Sequence, residues 1–202
     1  LAAGAPPAMN EPRVSIVIPT RNAGEGFRAV LAAIRAQEPA GPEVEIVVVD
    51  SGSTDATLDL ARQFGAQAIS IPAHDFNHGE TRNLGIRHSR GSLVGCLVQD
   101  ARPANRGWLA PLVAALEGEG RAAGAYSRHL PWPDDDVLTA FLVGQWHQVQ
   151  GAQRVCQALP PSGSVADLPF GERRRACAFD NVSSLLRREA WEASVSLPVR
   201  CD

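Results

Sequence analysis

The chain has 202 residues, of which 45% are hydrophobic, and its formal net charge at pH 7 is −3. This length is enough to bury the core of one domain, so stability does not require a disulfide framework. The slightly negative balance, without a basic cluster interleaved with aromatic residues, argues against nucleic acid as a partner.

The first half of the chain predicts strands that alternate with helices. Residues 1–12 are rich in Ala and Pro and lack the basic start of a signal peptide, so we expect a disordered lead-in. β-Branched residues then predict a strand over 14–18, which Pro19 ends. The elements predicted next are a helix over 25–37, a strand over 44–49, a helix from about Thr54, a strand over 66–71, a helix over 80–89, a strand over 93–98 and a helix over 106–118. This alternation predicts an α/β fold with a largely parallel sheet and helices on both faces.

The second half of the chain has a looser pattern. The elements predicted there are a strand over 122–127, a helix over 137–149, an aperiodic loop over 157–175, a strand over 176–186 and a short helix over 187–193. We therefore divide the chain into the lead-in, a nucleotide-binding half over 13–120 and a second half of the same domain over 121–202. The chain stops at Asp202 without a terminating signal, so we expect this half to be truncated at its C-terminus.

The cysteines and the hydropathy pattern indicate a cellular location. The four cysteines are scattered, without the paired spacing of a zinc site or a redox motif. No run approaches the ~20 apolar residues of a transmembrane helix. We therefore expect a cytoplasmic protein.

Two of the predicted strands end in an aspartate, and both acids should lie at one edge of the sheet. Three residues, 51–53, separate Asp50 from the next helix, so its carboxylate is free to accept hydrogen bonds from a ribose or a base. Asp100 follows an apolar run and precedes Pro103, so its strand end is held rigidly, as a metal ligand requires. We expect Asp100 to hold Mg²⁺ or Mn²⁺ together with diphosphate oxygens. The alternative for such aspartates is that they cap the following helix.

Other motifs leave alternatives open. Residues 24–29 match the dinucleotide fingerprint, which makes an NAD-dependent dehydrogenase an alternative, although residues 19–23 separate the glycines from the strand. His74 and His78 would share one face of a helix and could bind zinc, but the flanking Pro72 and Gly79 favour a loop.

Two groups of arginines could contact anions. Arg82 and Asn83 begin a helix just after Gly79, where helix-end amides and a guanidinium can hold phosphate oxygens; the alternative is a surface arginine. The run Arg173-Arg174-Arg175 is a solvated turn or an anchor for phosphate or anionic lipid headgroups, which would give peripheral contact with the inner face of a membrane.

Several segments, taken together, resemble the inverting family 2 glycosyltransferases of the GT-A fold. Residues 14–22, with Pro19-Thr20-Arg21-Asn22, and residues 47–55, with Asp50-Ser51-Gly52, occur in order at the right strands. Further segments resemble the rhamnosyltransferase-like branch: 76–85, 99–103, 126–128 and 179–184. The resemblance covers about residues 13–195.

The resemblance implies a nucleotide-diphosphate sugar donor, transfer to a saccharide or lipid-linked acceptor, and a divalent cation. The implied donor-binding residues are Pro19, Thr20, Arg21, Asn22, Asp50, Ser51, Gly52, Arg82, Asn83 and Gln99. Asp100 is the implied metal ligand, and Arg128, Asn181 and Trp191 are the expected acceptor-binding residues.

The chain departs from the family pattern in two places. The Asp-x-Asp element appears as Val98-Gln99-Asp100, so only its second acid is present. The alternatives are that metal binding is weaker or that Gln99 helps orient the diphosphate. The family's catalytic base normally follows the Phe179-Asp180-Asn181 segment, in an acidic pair that this chain does not reach. Asp180 is the candidate base within the chain, and the alternative for its side chain is a hydrogen bond to the acceptor. The alternative is a catalytically inactive homologue that binds nucleotide sugars.

Overall fold

The predicted alternation of strands and helices is present in the structure, a computed structural model that describes residues 12–38, 43–118, 122–150, 156, 164–177 and 179–194. The strands in these ranges are β1 Val14–Thr20, β2 Glu45–Asp50, β3 Gln67–Ser70, β4 Leu93–Leu97, β5 Gly124–Tyr126 and β6 Ser183–Arg187. The helices are α1 Gly26–Arg35, α2 Thr57–Gln63, α3 His78–His88, α4 Leu109–Glu117, α5 Val137–Gln150, α6 Phe170–Cys177 and α7 Arg188–Ser194. The predicted lead-in lies outside the described residues except for Pro12.

The described strands form one sheet in the order β3-β2-β1-β4-β6-β5. The first four are parallel to one another, and β6 runs antiparallel to both β4 and β5. A mostly parallel sheet with an antiparallel edge is common in α/β proteins, and its ligands bind beyond the carboxyl ends of the parallel strands. The α/β fold class predicted from the sequence is confirmed.

Two apolar clusters cover the faces of the sheet. One joins β1 and β2 to α1 and α4, and Phe27, Leu31 and Ile34 of α1 are fully buried in it. The second cluster, on alternate positions of the same strands, includes Val17 and Val49 and lies against α3. Burial on both faces explains why β1 and β2 are continuous apolar runs rather than alternating ones.

β1 continues past Pro19, whereas the sequence predicts that Pro19 ends it. Pro19 pairs with Val49 of β2 in the ladder, which ends at Thr20 and Asp50. β4 pairs with β1 only as far as Val17, so the missing N–H of Pro19 breaks no bond to β4.

Other element boundaries also differ from prediction. α2 begins at Thr57 rather than near Thr54, because Ser53 and Thr54 bond to groups outside the helix. The helix α6 occupies part of the predicted loop over 157–175 and contains the three arginines, so they are not in a turn. Residues 157–163 lie outside the described part. The predicted strand over 176–186 is wrong at its start, since α6 extends to Cys177 and β6 begins at Ser183.

The chain divides into two compact units. The first comprises the residues up to Ser127 together with those from Asn181 onward, and it contains the whole described sheet. The second, Arg128–Asp180, contains α5 and α6. The functional division near residue 121 stays a prediction. None of the helices in the described ranges has both the length and the hydropathy needed to cross a membrane.

Glu45, at the start of β2, supports a pH-dependent prediction. Its carboxylate accepts hydrogen bonds from Ser15 Oγ at 2.6 Å and from the N–H and Nε of Arg90 at 2.7 and 2.8 Å. Burial alone would raise the pKa of Glu45, but these bonds outweigh it and lower the pKa below its ordinary value. The stabilisation by the carboxylate is therefore complete above the unfolded pKa of about 4.3 and is lost as the pH falls through the lower folded pKa.

We expect Glu45→Gln to lower the free energy of unfolding by about 2 kcal/mol at pH 7, because the amide leaves one of these donors without an acceptor. The difference from the wild type should shrink as the pH falls below 4, and urea titrations at several pH values would measure it. Glu38→Gln is the control, since its ion pair with Arg106 is exposed on both sides. A deficit that stayed constant down to pH 2 would contradict the assignment to the carboxylate.

Candidate functional site

A cleft of about 360 Å³ lies at the carboxyl ends of β1, β2 and β4. Its lining comes from these strand ends, from the turn before α3 and from α3 itself: Pro19, Thr20, Arg21, Ser51, Ala73, Phe76, His78, Arg82, Val98 and Gln99. Six of these are predicted donor-binding residues: Pro19, Thr20, Arg21, Ser51, Arg82 and Gln99. The fold therefore brings them to one cavity, and their role as donor ligands stays a prediction.

Asp50 ends β2 beside this cleft and is 1% exposed. Its Oδ1 accepts hydrogen bonds from Thr20 Oγ1 at 3.1 Å and from Ser53 Oγ at 2.5 Å. Its Oδ2 accepts from the N–H groups of Gly52 at 3.1 Å and Ser53 at 2.9 Å. A carboxylate has about four lone-pair positions, and these bonds use them. Asp50 thus shapes the turn after β2, and a bond from it to a nucleoside requires one of these partners to move.

Asn22 joins the loops that follow β1 and β2. It adopts a positive φ of 47°, its N–H donates to Ser53 Oγ at 2.8 Å, and its Oδ1 accepts from the N–H of Thr54 at 2.8 Å. Asp55 adds a bond to the N–H of Gly24 at 2.9 Å. Asn22 is a predicted donor-binding residue, and in the structure its side chain holds the two loops together.

Arg82 lies in the first turns of α3 and lines the cleft. Asn77 caps this helix, because its Oδ1 accepts from the N–H groups of Gly79 at 2.9 Å and Glu80 at 3.1 Å. The Nη1 of Arg82 donates to the carbonyl of His78 at 2.7 Å, whereas its Nε is buried and has no hydrogen-bond partner. A buried N–H without a partner is costly, and the guanidinium of this cleft-lining residue supplies positive charge near the cavity.

Phe76 and His78 form an aromatic wall that the sequence analysis did not assign to the site. Their rings meet edge to face with centroids 4.9 Å apart, and both line the cleft. The sequence signal that could have identified them was their position just before Arg82; His74 and His78 were instead considered as a zinc pair, with a loop favoured. His74 lies in a 3-10 turn and His78 begins α3, so they do not share a helix face.

Gln99 follows β4 and contacts the backbone of Arg21 rather than another side chain. Its Oε1 accepts from the N–H of Arg21 at 2.8 Å, and its Nε2 lies 3.3 Å from the carbonyl oxygen of Arg21. This contact spans 78 residues of sequence.

Asp100 is exposed in the turn after β4, where the N–H of Ala101 donates to the carbonyl of Val98 at 3.2 Å. Among the described residues, no three His, Cys, Asp or Glu side chains lie together as a metal-ligand set. The described residues therefore offer a metal ion one accessible carboxylate at this position.

Asn83 and Trp191 bond to each other. The indole N–H of Trp191 donates to Asn83 Oδ1 at 3.0 Å, and the ring packs against the apolar cluster under α3. Neither residue is in the cleft lining, although the sequence predicts donor contact for Asn83 and acceptor contact for Trp191. Asn181, another predicted acceptor residue, is exposed just before β6.

The second unit contains Arg128 and Asp180. Asp180 Oδ2 lies 3.2 Å from His129 Nε2, and the side chains are 13% and 25% exposed. His129 was not identified from the sequence, because no spacing rule links it to a residue 51 positions later. Arg128 is exposed.

Comparison with known proteins identifies a family model. The model described as "Glycosyl transferase family 2" matches residues 15–136. That span contains the strands and loops that form the cleft.

Two curated relatives are glycosyltransferases. The O-antigen chain rhamnosyltransferase RfbN of Salmonella typhimurium is 35% identical over 128 residues, which cover 62% of this chain and 40% of that protein. The glycosyltransferase AglE of Haloferax volcanii is 34% identical over 113 residues, which cover 54% of this chain and 37% of that protein. The chain thus spans well under half the length of these relatives.

Solved structures share the fold. The mannosyltransferase PcManGT of Pyrobaculum calidifontis, solved with GDP-Man and Mn²⁺, matches with a TM-score of 0.60 at 21% identity, covering 94% of this chain and 48% of that one. TarS 1–349 of S. aureus matches with a TM-score of 0.62 at 17% identity, covering 91% and 49%. These matches confirm the predicted GT-A fold class.

Proposed function

The chain belongs to glycosyl transferase family 2, and we propose that it binds a nucleotide-diphosphate sugar and transfers the sugar, with inversion, to a saccharide or lipid-linked acceptor. The observation that supports donor binding is the cleft at the carboxyl ends of the parallel strands, with Arg82 among its lining residues. Family membership leaves the NAD-dependent dehydrogenase without support, since the matched span includes residues 24–29.

The cleft has the size and chemistry for a nucleotide. Its volume of about 360 Å³ lies within the roughly 300–1,000 Å³ of small-molecule sites. The ring of Phe76 provides an apolar surface for a base, and the guanidinium of Arg82 provides positive charge for phosphate oxygens. Because RfbN is named as an O-antigen chain rhamnosyltransferase, we propose a deoxysugar nucleotide such as dTDP-rhamnose as the first donor to test.

The residues present fit a divalent cation that is shared with the donor. Mg²⁺ is commonly bound through one or two carboxylates plus substrate phosphates, and Asp100 supplies one accessible carboxylate. When bound there, the cation would offset negative charge on the diphosphate.

In the proposed reaction, the acceptor hydroxyl oxygen forms a bond to the anomeric carbon while the bond from that carbon to the diphosphate oxygen breaks. The bonding electrons leave with the nucleoside diphosphate, and Arg82 stabilises their charge. The hydroxyl proton must pass to a base. Asp180 is the proposed base within this chain, and its neighbour His129 would hold the carboxylate in place.

We expect Arg82→Gln to weaken binding of the preferred nucleotide at least about tenfold, because a charge-assisted hydrogen bond is lost. Thermal-shift titrations with dTDP, UDP and GDP, with and without Mn²⁺, would identify that nucleotide and measure the change. Arg87→Gln, an exposed position on the same helix, is the matched control.

Two results would oppose the proposal, the first from these titrations and the second from an assay of nucleoside diphosphate release. Equal affinity in Arg82→Gln and the wild type would remove Arg82 from the site. Tight nucleotide binding by the full-length protein, with no release of nucleoside diphosphate from any sugar nucleotide, would instead favour a non-catalytic homologue.

A further inference from the structure

Gln99 lies where the pairing of β1 with β4 stops. The register runs from Val14 opposite Leu93 to Val17 opposite Cys96. Continued by three residues, it would bring Gln99 opposite Thr20, but β4 has already ended at Leu97. The end of β1 and the loop after it are therefore not paired with β4 at the edge of the sheet where the cleft begins.

The side-chain amide of Gln99 takes the place of the missing strand. Its Oε1 accepts from the N–H of Arg21 at 2.8 Å, and its Nε2 donates to the carbonyl of Arg21 at 3.3 Å. A residue in a β ladder uses its N–H and its C=O in the same way with a backbone neighbour. Because both residues line the cleft, this contact sets the shape of one wall.

We propose that Gln99 is a positioning residue, which holds the backbone of Arg21 so that the cleft is preformed for the donor nucleotide. The inference rests on the proposed function. It assigns Gln99 a task other than orienting the diphosphate directly, since its Oε1 and one of its N–H groups are already used on Arg21. It also explains why an amide suits this position, because a carboxylate could accept from the N–H of Arg21 but would face its carbonyl oxygen.

Two substitutions test whether Gln99 acts through its two hydrogen bonds to the backbone of Arg21, which we call the tether. Gln99→Met keeps the length of the side chain and removes both bonds, whereas Gln99→Glu keeps the acceptor for the N–H of Arg21. Gln63→Met, at an exposed glutamine of α2, is the control. Calorimetric titration of each full-length variant with dTDP, UDP and GDP in EDTA measures nucleotide affinity. The rate of amide hydrogen exchange at Arg21 shows whether its N–H is still hydrogen-bonded to residue 99.

We expect Gln99→Met to weaken the best-bound nucleotide about tenfold and to speed exchange at Arg21, while the melting temperature changes little. Exchange at Arg21 should remain slow in Gln99→Glu. In transfer assays the KM for the donor should rise in Gln99→Met with kcat within about threefold of the wild type, the pattern of lost uniform binding.

If the wild type binds a nucleotide and Gln99→Met binds it with the same affinity, the positioning role is overturned and the proposed function stays intact. A fall in kcat with an unchanged KM would assign Gln99 to the reacting diphosphate and also overturn it. If the wild type binds none of the three nucleotides, the proposed function fails and the positioning role fails with it, while exchange at Arg21 still reports whether the tether exists.

Discussion

Replacing Asp100 by Asn is expected to lower kcat/KM for sugar transfer at least about 100-fold, because the amide cannot supply the anionic oxygen that a hard cation requires. Because Asp100 lies in an exposed turn, we expect its replacement by Asn to leave the free energy of unfolding unchanged. The measurement is the rate of nucleoside diphosphate release from the donor identified by thermal shift, at several Mn²⁺ concentrations. Nucleotide affinity in EDTA should be unchanged in the variant.

Asp59→Asn is the control for this substitution, since Asp59 is 74% exposed on α2 and pairs only with its neighbour Arg62 among the contacts described. The metal assignment would be wrong if Asp100→Asn kept the metal-dependent part of the thermal shift. Activity that is independent of Mn²⁺ in the wild type would likewise show that the single acid of Val98-Gln99-Asp100 does not act through a cation.

The second large effect is expected at Gly85, where α3 lies against the centre of the sheet. A methyl group at this position would overlap Cγ1 of Val17 and lie 3.1 Å from Cγ2 of Val49. Both valines are fully buried in β1 and β2, so they cannot move aside. Overpacking of a close-packed core costs about 1–3 kcal/mol, and we expect Gly85→Ala to lower the free energy of unfolding by about 3 kcal/mol.

For a chain of this size, that loss corresponds to a fall in the melting temperature of about 6–12 °C. Gly26→Ala is the matched control, because a methyl group at this exposed helix position meets nothing within 4 Å. Its stability should equal that of the wild type or rise by about 0.5 kcal/mol, since alanine is less flexible than glycine in the unfolded chain. Equal melting temperatures for Gly85→Ala and Gly26→Ala would contradict the close packing of α3 on the sheet.

The fold was predictable where the pattern is local. Apolar β-branched runs and helical spacing in the first half identified the parallel strands, and the loops after β1 and β2 supplied the family resemblance that the comparisons confirm. Prediction missed α6, Phe170–Cys177, because this helix has few apolar residues and they are not periodic. It also ended β1 too early, since the effect of Pro19 depends on which neighbour its nitrogen faces.

The candidate site was predictable only in part, because the role of a side chain depends on its neighbours in the folded chain. The sequence placed Arg21, Asp50 and Gln99 at strand ends, but it could not show which of these side chains are already bonded within the protein. Asp50 uses its oxygens on Thr20 and on the turn after β2, and Gln99 bonds to a backbone 78 residues away.

The sequence by itself determined an α/β chain whose polar residues collect at the carboxyl ends of parallel strands, because alternating strands and helices favour a parallel sheet. The GT-A assignment came from the motifs that resemble the family. Only the tertiary structure decided which of these residues face the cleft and which support it. Hydrogen bonds formed in the folded chain make that choice: Gln99 bonds to the backbone of Arg21 across 78 residues, and Asp50 bonds to Thr20 across 30 residues as well as to its own turn. The task of each residue therefore depends on contacts that no local spacing records.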